Sequence, residues 1–245
     1  MEKNKFFDIK PLKDWTIIWF PISMSNISTK QDVNKCMEWI DYIGDKKAEE
    51  PKLGLNLVYC DFLYLNSKEP AEKLKEKFMF QMINHKGGIK KEIWKKRKKY
   101  QIQHAFHFET WGNLYLNVKG DFKEFFRKIK ELYTTDKLFQ KYVKEDAKFN
   151  GRKLTKNQIN FFLEEHLMGY LAVYGMIKFR NEYIQGREKN ILMCYPGVPP
   201  KGQVYLFQKN PLKFPTNNPF IGQYNLLNRK FYNSKNFDLK SWNYE

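Results

Sequence analysis

Three cysteines, Cys36, Cys60 and Cys194, are all that the 245 residues contain. They are too few and too far apart for a disulfide scaffold. No CxxC pair occurs, which argues against a structural zinc site. They read instead as small buried apolar side chains. The chain has no internal repeat, no P-loop, no GxGxxG and no Ser-His-Asp signature. No apolar run approaches the ~20 residues of a membrane span. The run Trp15–Ile22 is short and is followed by no small-residue cleavage pattern, so no signal peptide is expected and the chain is read as cytoplasmic.

Acidic residues are in deficit. Lys and Arg total 44 against 27 Asp and Glu, a formal net charge of +17. An excess of this size favours a polyanionic partner, nucleic acid or a membrane surface. No basic amphipathic helix with a Leu/Trp face is apparent, so no membrane partner is expected. Six of the basic residues are Arg, and so heavy a lysine bias also fits an AT-rich genome and a solvated surface. Hydrophobic content of 42% excludes a disordered chain. The length suits one domain, residues 1–245, expected to be monomeric.

Short apolar runs alternate with amphipathic segments. Thr16–Ile22, Leu55–Cys60 and Asn190–Tyr195 read as buried strands. Lys30–Ile43, Pro70–Lys86, Ile89–Gln103, Phe122–Leu132, Asp136–Phe149 and Thr155–Tyr174 read as helices. Gly87-Gly88 is expected to stop the second of these. Gln103–Asn117 permits extended structure, and the tail after Pro199 reads as loops packing on the body. Strands alternating with helices imply an α/β domain with a parallel sheet.

Four clusters carry candidate chemistry. First, a buried strand runs into Ser23, Met24, Ser25 and Asn26 and then into a helix. In open α/β sheets ligands bind at the carboxyl ends of strands, where a serine can be a nucleophile. The same residues also suit turns and N-caps. Second, Lys90–Tyr100 holds Lys90, Lys91, Lys95, Lys96, Arg97, Lys98 and Lys99. On a helix, Lys91, Lys95 and Lys98 or Lys99 share a face able to neutralise phosphates, with Ile93 and Trp94 anchoring the other side. Glu92 and His85 are the near neighbours that moderate their repulsion. An ordinary solvated face is the alternative.

Third, Glu164-Glu165 sits within an otherwise apolar helix. Adjacent positions lie 100° apart, so one carboxylate can face solvent while the other points inward. There it suits acid–base work or an ammonium group. Fourth, His104, His107 and Glu109 are loosely spaced, and in an extended segment His104 and His107 fall on opposite faces, which argues against a metal site.

The order of these features resembles the tRNA-dependent cyclodipeptide synthases. It comprises an IS-x-x-N after the first strand, a helix ending Trp39-Ile40, a strand ending CDFLYLN, a basic helix, an F-x-L-E-E-x-L helix and a strand ending Tyr195-Pro196-Gly197. The resemblance spans about Ile18 to Pro196 and implies a single-domain Rossmann-like fold akin to the class I aminoacyl-tRNA synthetase catalytic domain. It implies a nucleophilic Ser23, with Asn26 nearby in its loop. Glu165 would be the pocket glutamate that engages the aminoacyl amine, and Tyr195 the tyrosine of a Tyr-Pro pair marking one subgroup. Pro196 and Phe161 would complete the pocket. The basic helix, with Lys91, Lys95, Lys96, Arg97, Lys98 and Lys99, would hold the tRNA acceptor arm.

The implied partners are two aminoacyl-tRNAs per turnover, with no cofactor, because the ester arrives already activated. Loop N–H groups after Ser23 would cradle the oxyanion. Phe161 departs from the family, which usually has a tyrosine there. Asn26 beside Tyr195-Pro196 mixes features of two subgroups, and a hydrophilic stretch, RNEYIQGREKN, lengthens the segment between Glu165 and Tyr195. Two other readings share parts of the pattern. A non-catalytic RNA-binding protein would use the basic helix without Ser23 or Glu165. A metal-dependent nuclease would use Asp61, Glu109 or the His pair.

Overall fold

The computed structural model describes residues 17–49, 54–61, 71–100, 106–177, 191–215, 220–228, 230–233 and 239. Six strands form one sheet: β1 (Ile17–Ser23), β2 (Gly54–Cys60), β3 (Phe106–Thr110), β4 (Ile191–Tyr195), β5 (Phe220–Asn225) and β6 (Lys230–Asn233). Their order is β3-β2-β1-β4-β5-β6. The first five strands are parallel, and β6 pairs antiparallel with β5. The Rossmann-like α/β expectation holds, with a mixed rather than wholly parallel sheet. The strand order is that of doubly wound nucleotide-binding folds, and its topological switch point falls between β1 and β4.

Strand alternation sorts the core into two layers. Ile18, Phe20 and Ile22 of β1 join Leu55, Leu57, Tyr59, Leu192 and Cys194 under α1 (Val33–Glu49) and α2 (Ala71–Lys95). Trp19, Val58, Cys60 and Ile191 face the other way. There they meet α4 (Trp111–Leu116), α5 (Phe122–Thr135), α6 (Lys137–Phe149), α7 (Lys156–Val173) and α8 (Lys201–Lys209). Helix α7 packs against α5, α6 and α8 as well as the sheet. Nearly every residue from Phe162 to Val173 is buried, as expected for a helix apolar all round.

Three expectations change. Gly87-Gly88 does not stop a helix, because α2 runs through to Lys95 and a four-residue α3 (Arg97–Tyr100) follows. A Cβ on Gly88 would lie 2.9 Å from Val33 Cγ2, so glycine serves the close approach of α1 and α2 rather than a cap. Among the described residues of Gln103–Asn117, extended structure covers only β3. Thr110 then caps α4, its side chain accepting from Asn113 N–H at 3.1 Å. The tail is not loops alone, since it supplies α8, β5 and β6.

Helix α8 is held in place from outside its own sequence. Pro200 precedes it without a capping side chain. Instead Asp146 of α6 accepts from Lys201 N–H and Gly202 N–H, each at 2.8 Å. The carboxylate thus fills the anion site at the helix start. Lys201 Nζ adds a bond of 2.8 Å to Glu145. Gly202 permits this closeness, since a Cβ there would lie 2.6 Å from the ring of the fully buried His166. We predict that Gly202→Ala lowers stability by about 1–3 kcal/mol through overpacking, outweighing the ~1 kcal/mol of helix propensity gained. Urea denaturation checks this, and an unchanged midpoint would contradict the tight contact.

Candidate active site at the switch point

Strands β1 and β4 pair only through Ile17–Trp19 and Ile191–Met193, whereas β1 and β2 stay in register to Ser23 and Cys60. Beyond Trp19 the two central strands part, and a cavity of about 570 Å³ opens between their carboxyl ends. Ser23 ends β1 and Tyr195 ends β4. Both share the strand parity of Trp19 and Ile191, which places their side chains on the α7 face. Ser23, Asn26, Phe161, Glu165, Tyr195 and Pro196 all line this one cavity. Six positions spread over more than 170 residues of sequence therefore meet.

The serine loop is tied down by a residue that sequence reasoning missed. Gln31 is fully buried. Its Nε2 donates to the Pro21 carbonyl at 2.7 Å, and its Oε1 accepts from Ser23 N–H at 2.9 Å. These are the two bonds that one residue of a parallel neighbouring strand would make. The side-chain amide thus replaces β4 along the stretch where β4 has departed. Proline is tolerated at position 21 because no ladder hydrogen bond is demanded of its nitrogen there.

Behind Gln31, its backbone carbonyl accepts from His85 Nε2 at 2.8 Å and from Cys36 Sγ at 3.3 Å. The carbonyl can only accept, so His85 carries its proton on Nε2, and Tyr59 Oη donates to Nδ1 at 3.0 Å. Burial pushes the His85 pKa below its ordinary value, keeping the ring neutral. His85 is therefore a loop support rather than a moderator of the lysine charges.

Ser23 Oγ lies 2.9 Å from Ser25 Oγ. A turn follows, with Asn26 N–H donating to the Ser23 carbonyl at 2.9 Å. Two nearby N–H groups, those of Ser23 and Asn26, are therefore already engaged, and the expected oxyanion cradle cannot draw on either.

Neither Glu164 nor Glu165 faces open solvent, contrary to the expectation for one of them. Glu164 is 5% exposed, and Glu165 keeps partial exposure toward the cavity. The reason is that α7 has no solvent face over this stretch. Burial pushes the Glu165 carboxyl above its ordinary range. His166 and Arg152 pull against this, and Asp146 adds to it. Lys30, Asp146, Phe149, Arg152, Phe162 and Asn225 also border the cavity and were not singled out from sequence. Asp146 had a visible signal: it interrupts the apolar stripe Phe139, Tyr142, Val143, Ala147 of α6. The opposite rim is fixed by β5, where Gln223 Nε2 donates to the Gly197 carbonyl at 2.9 Å and Leu226 N–H to the Tyr195 carbonyl at 3.0 Å.

The basic segment lies elsewhere, down α2 and around α3. Lys91, Lys95 and Lys98 are exposed. Lys95 Nζ pairs with Glu92 at 2.6 Å and Lys96 Nζ with Asp41 at 2.5 Å, so Asp41 is a moderator that sequence did not reveal. The side chain of Lys99 and all of His104 lie outside the described residues, as does the hydrophilic RNEYIQGREKN stretch. Ile93 packs on the core, but Trp94 is 58% exposed, because here the helix packs along one face only and Trp94 lies 100° round from Ile93. His107 Nε2 lies 2.5 Å from Glu109, and among the described residues no group of three or more His, Cys, Asp or Glu is placed to hold a metal ion.

No protein-family model matches the chain, and no curated protein matches its sequence. Solved structures do match its fold. A cyclodipeptide synthase from Staphylococcus haemolyticus superposes with TM-score 0.57 at 12% identity, over 84% of this chain and 89% of its own. One from Bacillus thermoamylovorans gives 0.55 at 16% identity, over 86% and 87%. A Mycobacterium tuberculosis protein, described as showing that cyclodipeptide synthetases are related to type I tRNA synthetases, gives 0.50 at 12% identity, over 76% of each chain.

Two outcomes are expected from this geometry. Gln31→Ala leaves a buried donor and a buried acceptor unpartnered, at about 1–3 kcal/mol each, and should lower the urea midpoint accordingly. For Glu165 the folded pKa is raised, so its contribution to stability is full below the unfolded carboxyl pKa. That contribution is lost as pH rises through the folded pKa. Glu165→Gln should therefore gain on the wild type as pH rises across that window, and parallel pH–stability curves would contradict the burial of the carboxyl. The fold around this switch-point cavity is that of the solved cyclodipeptide synthases.

Proposed function

We propose that the chain joins two aminoacyl groups, each delivered as a tRNA ester, into a cyclic dipeptide. The observation that carries this reading is the meeting of Ser23, Glu165 and Tyr195 in one cavity at the switch point of this fold. Ser23 Oγ attacks the ester carbonyl of the first aminoacyl-tRNA. The bond to the ribose oxygen breaks, the serine proton passes to that oxygen, and an aminoacyl-Ser23 ester remains. The amine of a second aminoacyl-tRNA attacks this ester, and the dipeptide, still on the second tRNA, is passed to Ser23 with release of that tRNA. The free amine then closes on the seryl ester, which forms the second amide and restores the serine hydroxyl.

Glu165 suits the amine at each stage. Alone, its carboxyl is held back from ionising by burial. An ammonium seated beside it supplies the counter-charge that favours the carboxylate, and the carboxylate can then take the amine's proton. Tyr195, which lines the same cavity, relays a proton during closure in this reading. Phe161 puts a ring where a hydroxyl would otherwise help orient the amine, so Glu165 carries that work with fewer helpers. The basic face of Lys91, Lys95, Lys96, Arg97, Lys98 and Lys99 supplies sequence-independent phosphate attraction, with Lys91 and Lys98 the most available of those whose side chains are described.

Expression in a bacterium followed by mass spectrometry of the medium should reveal a cyclic dipeptide and identify its two residues. Purified protein incubated with radiolabelled aminoacyl-tRNA should become covalently labelled. Ser23→Ala should abolish the label while leaving tRNA binding intact, and a label that survives would sink the assignment. Replacing Lys95, Arg97 and Lys98 together should weaken tRNA binding and flatten its salt dependence. Tight binding without any acylation would instead support a non-catalytic RNA-binding protein.

A further inference from the structure

A second groove lies on the opposite face of the sheet from α7, between α2 and the strand β3. It has a volume of about 570 Å³ and is lined by Lys86, Lys90, Ile93, Trp94, Arg97, Phe106, His107 and Phe108. Phe108 pairs with Leu57, three positions below the Cys60 that sits beside Ser23. The groove is thus two strands away from the serine and about 10 Å lower along the sheet, at ~3.3 Å per residue. It shares no lining residue with the switch-point cavity.

Its walls are aromatic and each carries cations. Arg97 stacks its guanidinium on the exposed Trp94 ring at 4.2 Å. Lys86 and Lys90 both hold their ammonium groups over Phe108, at 5.4 and 5.5 Å from its centroid. Two lysines one helical turn apart over a single ring repel each other, a conflict that an anion placed between them would relieve. Burial, then the charge of Lys90, pushes the Lys86 ammonium pKa below its ordinary value, with Glu109 pulling the other way. Glu109 itself is 6% exposed and turned to His107, so the open groove presents positive charge.

Flat aromatic walls within a cationic rim match a nucleotide, whose base has a π-face and whose phosphate is an anion. An acidic peptide would satisfy the charge but leave the exposed indole unused. We infer that this groove binds an unpaired nucleotide of RNA, its base stacked among Trp94 and Phe108 and its phosphates neutralised by Lys86, Lys90 and Arg97. The choice of RNA rests on the proposed use of aminoacyl-tRNA. The groove would then add a base-stacking contact to the charge attraction of the basic face.

The test is fluorescence anisotropy of the full chain with a labelled single-stranded RNA octamer and with the same sequence as a duplex, across a salt series. Trp94→Ala should weaken single-strand binding about 5- to 100-fold with little change in salt slope. Trp94→Phe should retain most of the affinity. Lys86→Ala with Lys90→Ala should reduce the slope by about two. Ser23→Ala should bind as the wild type does. Trp94→Ala binding within twofold of wild type, duplex binding as tight as single-strand binding, or equal competition by polyglutamate would each overturn the stacking site. Acylation of Ser23 alongside a silent Trp94→Ala would fail the groove alone. Trp94-dependent binding with no acylation would fail the cyclodipeptide reading and leave the groove standing.

Discussion

Beyond Trp19 and Met193 the two central strands of the sheet stop sharing a ladder, and much of the molecule answers to that parting. A strand that loses a neighbour inside a protein exposes backbone groups that water does not reach. The chain resolves this with one side chain. The Gln31 amide takes the Pro21 carbonyl and the Ser23 N–H as a missing strand would. Gln31 is held in turn by its own backbone carbonyl, on which His85 and Cys36 converge. The loop that carries Ser23 is therefore anchored from below, while its hydroxyl faces the space that the departing strand leaves.

The other wall of the cavity has a different origin. Helix α7 is enclosed by the sheet and by α5, α6 and α8, so Glu164 is buried in protein and Glu165 is left toward the cavity. Asp146 is spent on the α8 amides and also lies beside His166, whose Nε2 is 2.9 Å from Asp146 Oδ2. Glu165, one residue earlier on α7, borders the cavity with its charge opposed by burial. Of these two buried acids, one is committed to structure and the other is left facing an open space.

The switch-point cavity and the basic surface are separate in the fold. The cavity opens at the carboxyl ends of β1 and β4, whereas the exposed lysines and the aromatic groove lie along the lower part of α2 and beside β3.

The sequence by itself determined the α/β class, the three strands at the heart of the sheet and most helix positions, because these rest on local periodicity and on apolar runs that only burial explains. It also singled out Ser23, Glu165 and Tyr195, by their order along the chain. It misjudged Gly87-Gly88, Trp94 and the tail. A glycine that admits a neighbouring helix reads like a glycine that ends one, and strand pairing across distant segments has no local signal. Only the tertiary structure decided that Gln31 stands in for a strand, that Asp146 caps a helix 55 residues away, that Asp41 engages Lys96, and that neither glutamate of α7 meets open solvent. Each of those is a contact between residues remote in sequence, set by which elements pack together rather than by any residue's own preference.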